Sequence, residues 1–426
     1  MLFYEHPNIM KKIIASLMIF VSPLAAHAAG FALIEQSASG MGNAFAGGGA
    51  VAEDASTIYF NPAGMTYIQG TQIVAAVHLI KPSAEFNGAI SPTFIGGGNG
   101  GDAGDIAFVP NFYYKRDLTD SIKFGLGVNA PFGLKTEYDS SWKGRYQAIK
   151  SEVKTVNINP AIAFKINDRL SVGAGISAMW AQAELTNALP IIVGSTSFGE
   201  ATAKVKGDDW GFGFNLGAIY QATEDTRFSL SYRSKVNQKL SGDAIFSPNN
   251  TMPALVLAGL QARNGDISAK LALPETFSIS TFSRVNDSWD IMGDVTWTRW
   301  SQFQTLAINY TNDIPLTSVT ENWSNNLRYS IGTNYHYSNE IKLRAGLAYD
   351  QEAISDQYRT ARIPGNNRKW LAIGANMKVT KNSSIDIGYA HLFINDATIN
   401  QSTGGLLVGS YSGDVNILSA QFTHNF

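Results

Sequence analysis

The chain ends in DVNILSAQFTHNF, Asp414 to Phe426, and this stretch decides how the rest is read. Leu418, Ala420, Phe422, His424 and Phe426 fall on one side of an extended chain, and Ser419, Gln421, Thr423 and Asn425 fall on the other. Successive side chains of a strand point to opposite faces, so one face is largely apolar and the other polar. A strand of about 9–11 residues with that pattern crosses a bilayer when its apolar face meets lipid. The pattern recurs upstream. Leu327, Tyr329, Ile331, Thr333, Tyr335 and Tyr337 oppose Arg328, Ser330, Gly332, Asn334 and His336. Ile341, Leu343, Ala345, Leu347 and Tyr349 oppose Lys342, Arg344, Gly346, Ala348 and Asp350, and Phe228, Leu230 and Tyr232 oppose Arg227, Ser229, Ser231 and Arg233.

A soluble sandwich alternates too, so the connections carry more weight. Strands are expected at 71–82, 106–116, 121–132, 146–166, 169–185, 210–222, 226–238, 271–285, 289–300, 322–337, 341–351, 369–379, 384–394 and 414–426, fourteen in all. Short polar turns at 117–120, 167–168, 223–225, 286–288, 338–340 and 380–383 alternate with long loops such as 186–209, 239–270 and 352–368. Tight periplasmic turns alternating with long external loops mark an outer-membrane barrel, and an even strand count returns both ends to the periplasm. The fold class is therefore all-β, a transmembrane antiparallel barrel. Trp297, Trp300, Tyr335, Tyr337, Tyr349 and Tyr389 lie toward strand ends, where interfacial girdles sit.

Composition agrees. Hydrophobic residues make up 45% of the 426 and charged residues 15%, yet past the leader the purely apolar runs are short, such as Ala254 to Leu260. The apolar residues are dispersed along strands, and no window suits a transmembrane helix. The net charge of −2 gives no footprint for nucleic acid. With no cysteine, disulfides, thiolate catalysis and cysteine metal sites are excluded. Residues 10–28, MKKIIASLMIFVSPLAAHA, read as an export signal: Lys11 and Lys12, a short apolar segment, then Ala26-His27-Ala28 as a cleavage box. Met10 serves as a start, residues 1–28 are the leader, and the mature chain is expected to begin at Ala29.

Residues 29–70 lack a strand pattern. Gly40, Gly42, Gly47, Gly48 and Gly49 punctuate small residues, which lets backbone approach backbone. A segment so apolar and so little charged is no disordered tail. Its natural place is the lumen, as a plug to the barrel at 71–426, since a barrel of this size otherwise leaves a water-filled pore.

This segment resembles the N-terminal hatch of the FadL family, outer-membrane transporters of long-chain fatty acids. The matching residues are Ala29-Gly30-Phe31, the run from Ser37 to Ala44, Ala50 to Ala55, and Asn61-Pro62-Ala63. Downstream, Ala130-Pro131-Phe132-Gly133-Leu134, Leu273-Pro274-Glu275 with Arg284-Val285, and Trp300-Ser301-Gln302-Phe303-Gln304 look familial as well. The resemblance implies a fourteen-stranded monomeric barrel with a hatch, and a terminal Phe426 that serves as an assembly signal. It also implies a route: ligand lands in an external groove, binds inside near the hatch, and leaves sideways where the third strand kinks.

Candidate residues follow. In the third strand Gly127, Asn129 and Pro131 suit a gap, because proline cannot donate to the ladder and strand glycines mark bulges; Pro131 could equally end the strand at the rim. The external loops are unusually apolar, with Leu189, Ile191 and Ile192 in one and Leu255, Leu257 and Leu260 in the other, behind a Pro253 that can open a helix. They suit a capture groove, or a cap in which the two loops pack on each other. Phe31 suits the apolar site. Asn61, Pro62 and Ala63 suit a hatch lock or the exit, or a plain turn. Arg233, Arg328 and Arg344 point inward by alternation and are candidate cations for a carboxylate head group, unless acidic neighbours claim them.

No metal site or cofactor is expected. The six histidines, His6, His27, His78, His336, His391 and His424, have no ligand spacing, and no nucleophile elbow, P-loop or dinucleotide fingerprint occurs. The reading is transport rather than catalysis. Its expected partners are a long-chain fatty acid or another hydrophobic small molecule, and the lipid and lipopolysaccharide around a monomer. Uptake of aromatic hydrocarbons on the same fold, a general porin and a surface adhesin are the competing readings.

Overall fold

The computed structural model describes residues 30–91, 95–311, 317–402 and 405–426; the export signal expected at 10–28 lies outside the described residues. Fourteen antiparallel passes close into a barrel. They are β1 (Gln72–Pro82), β2 (Ala107–Asp117), β3 (Ile122–Asn129, then Gly133–Glu137), β4 (Lys150–Lys165), β5 (Leu170–Val193), β6 (Thr196–Gln221) and β7 (Thr226–Arg233, then Val236–Pro248). The rest are β8 (Gly265–Leu273, then Thr276–Arg284), β9 (Trp289–Thr298), β10 (Asn326–His336), β11 (Ile341–Asp350), β12 (Arg368–Lys378), β13 (Ser383–Ile394) and β14 (Asp414–Asn425). Closure is direct: Ala75 of β1 lies opposite Phe112 of β2 on one side and Phe422 of β14 on the other.

The alternation read from the last strand holds in space. Ser419 and Gln421 are 1% and 2% exposed inside the barrel, whereas Leu418 and Phe422 are 52% and 43% exposed on its outside. Interior polar groups pair with one another, as where Asn159 Nδ2 donates to Asn215 Oδ1 at 3.0 Å. At the periplasmic end Trp289 and Tyr335 pack with tilted rings, centroids 4.7 Å apart, a pair suited to the interface. Trp300 does not join that girdle. It is fully buried, because the chain folds inward after β9 into a short 3-10 turn, Trp300–Gln302.

Two stretches expected to be loops are mostly strand. Residues 186–209 belong to one long hairpin made by β5 and β6, and 239–270 contain the end of β7, a helix at Ala254–Gln261 and the start of β8. The physical reason is an inversion of pattern. Beyond the bilayer the outside of the wall meets water, so Lys204, Lys206, Lys239 and Lys270 face outward. The inside stays apolar, with Ala201, Ala203, Leu240, Phe246, Ile267 and Leu271 buried in one cluster. Ile191 and Leu260 belong to that cluster and are 9% and 3% exposed, so they do not line an open groove; Ile192 and Leu255 stay exposed. β4 begins at Lys150 rather than at residue 146.

Residues 31–68 lie within the barrel. Four short pieces form there: α1 (Ala38–Met41), α2 (Gly48–Val51), α3 (Thr57–Phe60) and a 3-10 turn, Pro62–Tyr67. Ser37 caps α1 by accepting from Gly40 N at 3.1 Å. Met41, Ile58 and Met65 are fully buried, each contributing about 1.5–3 kcal/mol of burial. Close approach needs glycine in the wall. A Cβ on Gly346 of β11 would lie 2.1 Å from the carbonyl carbon of Asn43, so only a bare backbone fits there. Charge holds the other side: Glu53 bridges Lys342, at 2.9 Å, and Arg344. Burial pushes the Glu53 carboxyl up, but Arg344 and Lys342 together hold it well below the usual carboxylate range.

Candidate functional site

The barrel wall is interrupted between β2 and β3. The two strands pair from Phe112–Val128 down to Asp117–Lys123. Above that, Ala107 to Asn111 pair with β1 alone and turn an unpaired edge toward β3. The cause is a bulge in β3. Asn129 lies opposite Asn157 of β4, and Gly133 lies opposite Lys154. Ala130, Pro131 and Phe132 therefore face only Thr155 and Val156, one residue too many for the ladder. Pro131, with no N–H to donate, sits at the centre of it.

The displaced backbone turns inward and finds partners on the hatch, as buried peptide groups must. Leu33 N donates to Pro131 O at 2.8 Å, Gly133 N donates to Phe31 O at 3.0 Å, and Gln36 Nε2 donates to Ala130 O at 3.1 Å. Phe132 is held from the wall side, its carbonyl accepting from Thr155 Oγ1 at 2.6 Å. The hatch strap Phe31–Leu33 thus replaces β2 as the partner of β3.

A cavity of about 600 Å³ opens behind the gap. Phe31, Leu33, Ile80, Phe108, Val109, Val128 and Phe132 are on its wall, with Glu35 and Arg368. Phe108 is 69% exposed on the lipid side of β2 and Phe31 is 4% exposed in the lumen, so the cavity joins the two faces of the barrel. Phe31 itself sits in an aromatic box, its centroid 4.8 Å from Trp300, 5.8 Å from Trp323 and 6.1 Å from both Phe132 and Phe303.

A second cavity of about 120 Å³ adjoins the first, sharing Ala32, Leu33, Glu35 and Arg368 with it, and Arg233 and Arg328 line it. Each arginine is held by backbone carbonyls: Arg233 by Tyr59 O at 2.8 Å, Arg328 by Ala44 O at 2.8 Å and Arg368 by Gly30 O at 3.3 Å. Nε of Arg328 and of Arg368 is buried without a partner among the described residues. Burial pushes the Glu35 carboxyl above its ordinary value against the pull of its own backbone amide, Arg368 and Arg328. The unpartnered Nε groups of Arg328 and Arg368 leave donors that an anion could meet.

The residues singled out in the sequence separate into groups. Phe31 and Asn129 line the large cavity; Gly127 and Pro131 shape the strand beside it. Asn61, Pro62 and Ala63 do not touch it. Asn61 is fully buried against β6 and β7, where Nδ2 donates to Ala218 O at 3.2 Å and to Leu230 O at 3.3 Å, and Oδ1 accepts from Ala63 N at 3.1 Å. Gly217 makes room for it, since a Cβ there would lie 1.9 Å from Oδ1. The triplet locks the hatch to the wall. Arg344 faces inward but is taken by Glu53 and by Asp386, at 2.7 Å, which removes it from the head-group candidates. Leu189 and Leu257 are half-buried.

Arg368, Phe303 and Trp323 escaped the sequence reading. Arg368 is the first residue of β12, one position before the expected start, so the alternation never assigned it a face. Trp323 falls within the strand expected at 322–337, but β10 begins only at Asn326; the chain turns at Asn322, with φ of +45°, and Trp323 is buried.

Against known proteins, the chain matches the family described as Outer membrane protein transport protein (OMPP1/FadL/TodX) over residues 19–426. It is 32% identical to Outer membrane protein P1 of Haemophilus influenzae, covering 90% of each chain. It is 29% identical to the Long-chain fatty acid transport protein of Escherichia coli strain K12, covering 88% of this chain and 90% of that one. The crystal structure of a Pseudomonas aeruginosa FadL homologue superposes with a TM-score of 0.86 at 25% identity, covering 93% of this chain and all of that one. The family match spans nearly the whole chain and the barrel superposes on a solved relative: the chain belongs to the OMPP1/FadL/TodX family of outer-membrane transport proteins.

Proposed function

We propose that the protein takes up long-chain fatty acids, holds them in the cavity behind the gap, and releases them sideways into the bilayer between β2 and β3. The supporting observation is the cavity itself. At about 600 Å³ it is roughly four times the ~150 Å³ known to hold a benzene ring. An extended chain uses that length; a single ring does not. Arg368 on its wall, with Arg328 next door, gives a carboxylate its charge partner. Lateral release follows from solvation, because an apolar tail leaving through the gap meets lipid and never crosses the polar lumen.

External capture on the apolar loops, a leader at residues 1–28, a monomeric barrel and contact with lipopolysaccharide outside are parts of the same reading. Its chemistry is binding and passage. The aromatic box around Phe31 favours a second reading, aromatic hydrocarbons as cargo. Uptake of labelled oleate and labelled toluene, in a strain deleted for the gene and complemented with it, separates the two. Restored oleate uptake supports fatty acids; restored toluene uptake without oleate overturns them.

A further inference from the structure

The wall is interrupted a second time. β9 pairs with β8 as far as Thr298–Thr276, and the ladder resumes only at Ile308–Ala269. Between these, Lys270 to Pro274 have no ladder partner on that side among the described residues. β7 and β8 skip at the same level, where Arg233 pairs with Thr276 and Val236 with Leu273. Two motifs singled out in the sequence, Leu273-Pro274-Glu275 and the run from Trp300 to Gln304, meet here, and passage through the cavity uses neither.

This break is packed shut and pinned from outside. Arg299 Nη1 donates to Glu275 Oε1 at 2.8 Å, Tyr232 Oη donates to Glu275 Oε2 at 2.7 Å, and Arg299 N donates to Glu275 O at 3.0 Å. Tyr232 is on the lipid side, its ring 5.8 Å from that of the exposed Phe214. An ion pair is out of place at the edge of an apolar belt unless it holds something. What it holds is the residue after Arg299. The chain turns inward there, Gln304 Nε2 fastens the turn to Ser301 O at 2.7 Å and to Trp323 O at 3.1 Å, and Trp300 lands on Phe31. Phe31 O in turn accepts from Gly133 N in the bulge.

We propose that Glu275 and Arg299, with Tyr232, form a latch on the outer wall that positions Trp300 against Phe31 and thereby sets the conformation of the β3 bulge across the lumen. They are positioning residues, since none of the three lines the large cavity. The transport role rests on lateral release at that bulge; the mechanical coupling does not.

The chain has no cysteine, so a spin label at Ala130→Cys reports the bulge alone. Label mobility is measured in this background, and oleate uptake in the unlabelled protein that keeps Ala130, each with Glu275→Gln, Arg299→Gln and Arg299→Lys and each normalised to folded barrel by heat-modifiable gel mobility. The two charge-removing variants raise label mobility and lower uptake about fivefold, the scale of a half-exposed ion pair, while Arg299→Lys keeps both near the parent. Unchanged mobility in both Glu275→Gln and Arg299→Gln overturns the latch. Raised mobility with normal uptake keeps the coupling and removes its part in transport, which separates failure of the latch from failure of lateral release.

Discussion

Replacing Phe31 by Ala should release the strap without unfolding the barrel. Phe31 is 4% exposed and meets four aromatic rings edge-on, so the change removes a full aromatic burial and leaves a hole among rigid neighbours. Phenylalanine-to-alanine changes at such sites cost about 3–5 kcal/mol. The Phe31 side chain makes no bond of the barrel ladder, so the cost falls on local opening of the strap. At the low end, about 3 kcal/mol, the open strap becomes roughly a hundredfold more populated. Hydrogen exchange reads this directly. The amides of Leu33 and Gly133, whose partners are Pro131 O and Phe31 O, should lose about two decades of protection, and the Leu418 amide in β14 should keep its own. Equal protection of Leu33 and Gly133 in the two proteins would refute the strap as the element that holds the bulge.

Arg368→Gln should weaken oleate binding about ten- to a hundredfold, the worth of a charge-assisted hydrogen bond, and leave oleyl alcohol binding unchanged; equal loss for both ligands would deny the head-group role. Asn61→Ala removes buried hydrogen bonds to the wall and should lower the folded yield at a cost of about 1–3 kcal/mol, while affinity in the folded fraction stays the same. A drop in affinity at full yield would put Asn61 at the ligand. Glu321, which accepts from Trp323 Nε1 at 3.1 Å, has its carboxyl pushed up to about 7 by burial, against the pull of that indole. Losing the proton is then harder folded than unfolded, so the segment around Trp323 should loosen as pH rises from about 4.5 to about 7 and level off above that. Glu321→Gln should abolish this trend in limited proteolysis at graded pH; an unchanged trend would assign it to another group.

All fourteen passes were legible because lipid on one side and water on the other impose a strict alternation, as Ser419 and Leu418 show. The pattern stops being a guide where that contrast reverses. Above the bilayer Lys204 and Ala203 exchange roles relative to the lipid zone, so a strand there reads as a loop. The bulge was half legible. Pro131 announces a fault in the ladder, but only the pairing of Asn129 with Asn157 and of Gly133 with Lys154 shows its size. The aromatic box was not legible, because Phe31 and Phe303 come from segments without a strand pattern, Trp323 from an expected strand that begins only at Asn326, and they meet only in space. Arg344 shows the limit of counting faces: alternation gives its direction and says nothing of Glu53, which arrives from the hatch.

Lateral release is tested most directly by closing the gap. Deleting Pro131 removes the extra residue, which would set Ala130, Phe132, Gly133 and Leu134 opposite Pro110, Val109, Phe108 and Ala107 and complete the ladder between β2 and β3. Hydrogen exchange at the newly paired amides confirms closure, and oleate uptake is measured with oleate binding on the same protein. Lateral release predicts that the closed barrel still binds oleate and loses uptake; wild-type uptake through a closed wall would contradict it.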